Sequence, residues 1–132
     1  MMKPEFPTTV PKTNIYQDKG QCPLLYALQI VGPKWKLPII GALYEGKQLR
    51  YNQLKRTVVG ITNLMLTKSL RELEQDGLVQ RIVYDEASPH VEYTLTDRGC
   101  ALVPTLNALY TWGEEQLAWQ HQRGNQGTIE DK

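Results

Sequence analysis

The stretch 62–95 restricts the available folds more than any other part of this chain, because it reads as a capped helix running straight into a β-hairpin. Thr62 is a good cap residue, Leu66, Leu70 and Leu73 recur at i, i+4 and i+7, and Gly77 is the expected stop. Leu78–Tyr84 is then rich in Val, Ile and Tyr. Val91, Tyr93 and Leu95 alternate with Glu92 and Thr94, and the intervening Asp85–His90 carries Ser88 and Pro89, a polar tip.

The helices around this unit follow from the same signals. Pro23 and Gly32 bracket a helix over Pro23–Val31, with Leu24, Leu28 and Val31 on one face and Tyr26 and Ile30 on the other. A second helix is expected over Lys34–Leu43, with Trp35, Ile39 and Leu43 inward and Gly46 beyond its end. If it begins at Lys34, Pro38 removes one of its first backbone bonds. Gly46–Arg50 reads as a link, and Tyr51–Val58, with Leu54 and Val58 at helical spacing, as a short third helix. Thr96 caps a last long helix to about Trp119. One stripe is Leu102, Val103, Leu106, Tyr110 and Leu117; a second, Ala101, Thr105, Ala108, Trp112, Glu115 and Trp119, has the spacing of a helix–helix seam. Pro104 predicts a kink near the first turn. Residues 1–19, with Pro4, Pro7 and Pro11, read as a flexible arm, 20–119 as one domain, and 120–132 as a fraying tail.

Four helices, a hairpin and a final helix, with a short third helix before a capped fourth, give a mainly α fold with a β-hairpin wing: the layout of a winged helix-turn-helix. The fourth helix is then the recognition helix and Asp85–His90 the wing tip. Charge agrees with this layout. Between Lys34 and Arg71 eight basic residues stand against the single acid Glu45, a net +7, whereas Glu72–Asp97 is −6, although the whole chain is only +1.

Other classes fit less well. The chain has two histidines, His90 and His121, and lacks a nucleophile–His–acid spacing, a Gly-rich phosphate loop, HExxH and CxxC, so neither an enzyme nor a metal or other cofactor is expected. No apolar run approaches the roughly 20 residues of a membrane span and no signal-peptide pattern stands near Met1, so the expected address is the cytoplasm. A winged-helix module that binds another protein instead of DNA is the alternative. It accounts for surplus apolar surface but not for the basic stretch.

The segments CPLLYALQIVGPKWKLPIIGAL (22–43), GITNLMLTKSLRELEQDGLVQRIVY (60–84) and VEYTLTDRGCALVPTLNALYTWG (91–113) carry a resemblance to a known family. The chain resembles the HxlR-type, MarR-related bacterial transcription regulators. It departs from their pattern at Pro38, where a leucine-like residue is usual, and at Thr62-Asn63-Leu64-Met65, which is less polar than usual. The resemblance implies a dimer that binds operator DNA, represses or activates nearby genes, and in several relatives senses oxidants or electrophiles through a cysteine at the position of Cys22.

Turning by about 100° per residue from the inward Leu66 puts Leu64, Thr67, Lys68, Arg71 and Gln75 outside, with Thr62 and Asn63 at the exposed start. Arg71 and Asn63 suit base edges, Thr67 a base or phosphate, and Lys68 a phosphate. Leu64 either meets a thymine methyl or packs under the third helix. Lys34, Lys36, Arg50, Lys55 and Arg56 are candidates for backbone phosphates. At the wing Ser88 and His90 could approach an adjacent groove, His90 being equally readable as an exposed turn residue. The apolar residues left over by one core, Tyr26, Ile30, Ala108, Trp112 and Trp119, mark an interface formed by the first and last helices of two copies. Cys22, before Pro23 and near Lys19, is either a thiolate favoured by a helix N-terminus or a small structural residue of that interface. Cys100 reads as an inert core thiol. The sequence identifies no small-molecule effector.

Overall fold

A computed structural model describes residues 22–85 and 87–127. The arm 1–19 and positions 128–132 of the expected tail lie outside the described residues. The chain divides into two compact units after Lys34, inside the span that the sequence reads as one domain.

The first unit contributes α1 (Pro23–Val31), with Pro23 at its first position and the Gly32 N–H donating to the Leu28 carbonyl at 2.8 Å. Val31 is buried and Ile30 half-buried, while Leu24, Leu25, Tyr26 and Leu28 are exposed.

The second unit contains α2 (Lys36–Gly46), β1 (Gln48–Arg50), α3 (Tyr51–Thr57), α4 (Asn63–Gln75), β2 (Val79–Tyr84), β3 (His90–Leu95), α5 (Asp97–Ala101) and α6 (Val103–Gly127). Its core is aliphatic. Ile39, Ile40 and Leu43 of α2, Leu54 of α3, and Leu66, Leu70 and Leu73 of α4 are buried, as are Leu78 and Val79 and, from α6, Val103. Each such side chain contributes about 1.5–3 kcal/mol by leaving water.

Pro38 falls in the first turn of α2. The helix begins at Lys36 rather than Lys34, so Pro38 is its third residue, where a backbone N–H has no partner inside the helix. The end of α2 also differs from expectation. Gly46 is helical, and Lys47, at φ 71°, makes the turn. The supposed link after it is a third strand. β1 pairs antiparallel with β3, Gln48 opposite Thr94 and Arg50 opposite Glu92, and the sheet order is β1-β3-β2. Three residues are too few to display a period, so β3 had to be present before β1 could be recognised.

The hairpin is as expected, Val79 opposite Leu95 through Tyr84 opposite His90. The final helix is broken at Leu102, with Pro104 two residues into α6, where its missing N–H costs nothing. α6 then continues past Trp119 to Gly127, about 38 Å in all. Val103 is buried and Leu106 lies above Gly41 of α2, but Leu109, Tyr110, Trp112, Leu117 and Trp119 are each about half exposed or more.

Candidate nucleic-acid interface

α3 and α4 are joined by a turn in which Gly60 adopts φ +94°, a left-handed conformation open to glycine at little cost. The Thr62 hydroxyl accepts the Met65 N–H at 3.1 Å and fixes the start of α4. Its end is a Schellman motif: the Leu78 N–H donates to the Leu73 carbonyl and the Gly77 N–H to that of Glu74, both at 3.0 Å, with Gly77 at φ +80°. A helix closed at both ends holds its outer face steady.

That face carries the residues the sequence put there. Asn63, Leu64, Thr67, Lys68, Arg71 and Gln75 are all exposed, Leu64 at 76 %, while Leu66, Ser69, Leu70 and Leu73 are buried beneath them. Leu64 therefore does not pack under α3. The small shallow cleft beside this face, about 210 Å³, is bordered by Tyr51, Thr67, Arg71, Glu74, Arg81 and Tyr93. Arg81, exposed on β2, was missed by the sequence reading. Its only signal is that it is the lone base within the acidic stretch 72–97.

One expected phosphate contact is withdrawn. Lys36 is only 4 % exposed, and its Nζ lies 2.8 Å from Glu72 Oε1, so it braces α2 against α4. A buried ammonium needs such a partner, and here the partner is one helix away. Lys68 Nζ stands 3.1 Å from the other Glu72 oxygen but remains exposed at the surface. Hydrogen bonds from Lys36 and then Lys68 hold the Glu72 carboxyl below the usual carboxylate range.

Arg50 is exposed, with its Nε 3.8 Å from Glu92, Arg56 is exposed in the last turn of α3, and Lys55 is half-buried there. Lys34 is exposed in the first unit. At the wing, Ser88 is exposed, whereas His90 is turned back across the hairpin. Its ring stacks on Tyr84 with centroids 4.6 Å apart, its Nε2 lies 2.8 Å from Glu92 and its Nδ1 2.6 Å from the Ser88 carbonyl oxygen. His90 is thus a brace of the wing, neither a free turn residue nor an outstretched contact. The Gln48 amide, then His90 and Arg50, keep Glu92 below the usual carboxylate range against the opposing effect of partial burial.

Tyr51, the first residue of α3, was also missed. Its hydroxyl oxygen lies 3.0 Å from Thr67 Oγ1, 3.1 Å from the Asn63 carbonyl and 3.3 Å from Asn63 Oδ1. Sequence periodicity shows which way Tyr51 points only after α3 is laid against α4.

The interface candidates of the two units are mostly open. Tyr26, Ala108, Trp112 and Trp119 are exposed and Ile30 is half-buried, while Arg123 sits 5.0 Å over the Trp119 ring. Of the two thiols, Cys100 is not the core residue expected. Cys22 is buried, at 2 % exposure, and Cys100 is exposed, because α5 presents it outward and buries Gly99 instead. Among the described residues no His, Cys, Asp and Glu cluster could hold a metal ion, and no helix is long and apolar enough to cross a membrane.

A short α3, a capped α4 with a polar outer face and a β2–β3 wing define a winged helix-turn-helix transcription regulator. Residues 30–121 match the HxlR-like helix-turn-helix family, and the chain belongs to that MarR-related family. The HTH-type transcriptional regulator YybR of Bacillus subtilis, itself described as uncharacterized, is 39 % identical over 121 residues, 92 % of this chain and 96 % of that one. The solved structure of the redox regulator HypR in its oxidized form is 41 % identical and superposes with a TM-score of 0.66 over 71 % of this chain and 96 % of that one. The reduced form of the transcriptional regulator YodB from B. subtilis is 34 % identical, with a TM-score of 0.64 over 71 % of this chain and 92 % of its own.

Proposed function

We propose that this regulator binds double-stranded operator DNA as a homodimer, with α4 of each copy in successive major grooves of a pseudo-palindromic site. The observation that carries the reading is the outer face of α4, where Asn63, Thr67, Lys68 and Arg71 stand exposed on a helix fixed at both ends. Arg71 and Asn63 take base edges. Thr62 takes phosphate or base, Thr67 a base, Lys68 a phosphate, and Leu64 suits a thymine methyl. Thr62 can still donate its own O–H while capping the helix. Lys34, Arg50, Lys55 and Arg56, joined by Arg81, take the backbone, and Ser88 approaches the adjacent groove.

The dimer reading rests on α1 and α6, whose exposed Tyr26, Trp112 and Trp119 exceed the scattered apolar exposure of a monomer. Twofold pairing would set the two recognition helices roughly 34 Å apart. Such a protein works where the chromosome is, in the cytoplasm.

We further propose that Cys22 is an oxidant- or electrophile-responsive trigger. Its position at the N-terminus of α1 supports this, as does the description of HypR as a redox regulator. Its burial means that reaction awaits local opening.

The test of DNA binding is a mobility-shift titration at fixed salt on the intergenic DNA flanking its gene. Arg71→Ala is expected to weaken binding by about 5–100-fold and to relax base preference, the range of one bidentate base contact. Lys68→Ala should weaken it on all sequences alike and lower the salt slope by about one. Unchanged binding in both variants removes α4 from this role. Salt-insensitive association with a protein, and none with DNA, would instead favour a winged-helix interaction module.

A further inference from the structure

We propose that Tyr51 is a specificity-determining positioning residue, which fixes what Asn63 and Thr67 can offer a base pair without touching DNA itself. The inference rests on the reading of α4 as the DNA-reading helix and deepens it.

The Tyr51 hydroxyl has one proton to give and lone pairs to receive. Around it stand the Asn63 carbonyl at 3.1 Å, the Asn63 Oδ1 at 3.3 Å and the Thr67 Oγ1 at 3.0 Å. The two Asn63 oxygens can only accept, so the tyrosine proton goes to them. Thr67 is the one neighbour able to donate, so its proton goes to Tyr51.

The consequences face outward. The Asn63 carboxamide has its oxygen end turned to Tyr51, which leaves its NH₂ as the free end at the exposed start of α4. An asparagine recognises adenine through both ends at once, NH₂ to N7 and oxygen to the N6 amino group. The oxygen keeps a second lone pair, so the bond from Tyr51 leaves both ends usable and fixes the direction in which Asn63 presents them to a base. Thr67, its proton committed, presents lone pairs and a methyl, which suit an amino group of adenine or cytosine. One α3 hydroxyl thereby sets the orientation of Asn63 and the acceptor character of Thr67, two residues one turn apart on α4.

Tyr51→Phe removes a single oxygen and keeps the ring, so a role confined to packing would leave base preference unchanged. The experiment uses the full-length protein. Wild type is first used to select sites from a randomised duplex library, and every single-base variant of the selected site is then competed against it. For Tyr51→Phe we expect affinity for unrelated duplex to stay within about twofold. Discrimination should fall about 3–10-fold, the range of one hydrogen bond, at one position per half-site, as the carboxamide loses its fixed direction. Thr67→Val should alter an adjacent or identical position, and the double variant should do no more than the larger single effect, as expected for groups in one network.

Base preference within twofold of wild type at every position, in both single variants, overturns the proposal even if melting temperature falls. Additive effects in the double variant overturn it as well, since they separate Thr67 from Tyr51. A wild type that selects no site overturns the DNA-reading role of α4 itself. That failure is distinguishable, because it appears before any variant is compared.

Discussion

Glu72 shows how much a single residue on a recognition helix can do on its inner side. One carboxylate oxygen meets the buried Lys36 at 2.8 Å and the other the exposed Lys68 at 3.1 Å, so the same group ties α2 to α4 and moderates the charge of the outer face. Because both lysines depress its pKa, the stabilisation is complete above its unfolded value, near 4.5, and is lost as pH falls through the lower folded value. We expect Glu72→Gln to melt about 4–8 °C below wild type at pH 7, since Lys36 keeps its charge with a weaker partner. The difference should hold down to about pH 5.5 and shrink below pH 4.5, as the wild-type carboxyl takes up a proton first in the unfolded chain and then in the folded one. A difference independent of pH across that window, in thermal melts followed by circular dichroism, would show that the pair does not govern stability. Lys36→Met together with Glu72→Gln should recover most of the loss, because an apolar side chain of similar length leaves no charge to satisfy.

At the scale of elements, α6 is the anomaly. A helix of 25 residues packs through its first turns and then presents Tyr110, Trp112, Leu117 and Trp119 to solvent. An amphipathic helix ordinarily covers one apolar stripe and leaves a polar one outside. α6 has apolar residues on more than one side, so packing on α2 can use only part of them. A second copy is the economical cover, and an apolar cleft of about 640 Å³ between α2 and α6, lined by Leu37, Gly41, Leu106 and Tyr110, continues the exposed surface. Trp112→Glu combined with Tyr26→Glu is expected to give monomers at micromolar concentration by sedimentation velocity. Those monomers should bind operator at least about 100-fold more weakly, because two half-sites then bind independently. Dimers persisting in that variant would move the interface elsewhere. α4 makes the opposite case, with every apolar residue but Leu64 and the half-buried Met65 buried and an outer face that is otherwise polar.

At the scale of the whole molecule, the two thiols differ in access. Cys100 is exposed and Cys22 is 2 % exposed. With a thiol reagent in excess, we expect one cysteine per chain to react at once and the other about 100-fold more slowly, at a rate set by local opening. Cys22→Ser should abolish the slow phase and Cys100→Ser the fast one. If Cys22 is the trigger, diamide will change operator affinity in wild type and in Cys100→Ser but not in Cys22→Ser. Equal responses in all three would remove the sensor reading and leave the DNA-binding function standing.

Thr62, the Leu66–Leu70–Leu73 stripe, Gly77 and the alternation of Val91, Tyr93 and Leu95 were sufficient in the linear chain to define α4, the hairpin and the outward direction of Lys68 and Arg71. Caps and periods act within a few residues, and the physics that produces them is equally local. Tertiary structure alone decided that Lys36 is a buried strut, that Gln48–Arg50 completes the sheet, that Tyr51 reaches Asn63 and Thr67, and that Cys22 is buried and Cys100 exposed. Each of these depends on a neighbour brought close by folding, or on which side of a short helix the core happens to cover. No local pattern records that information.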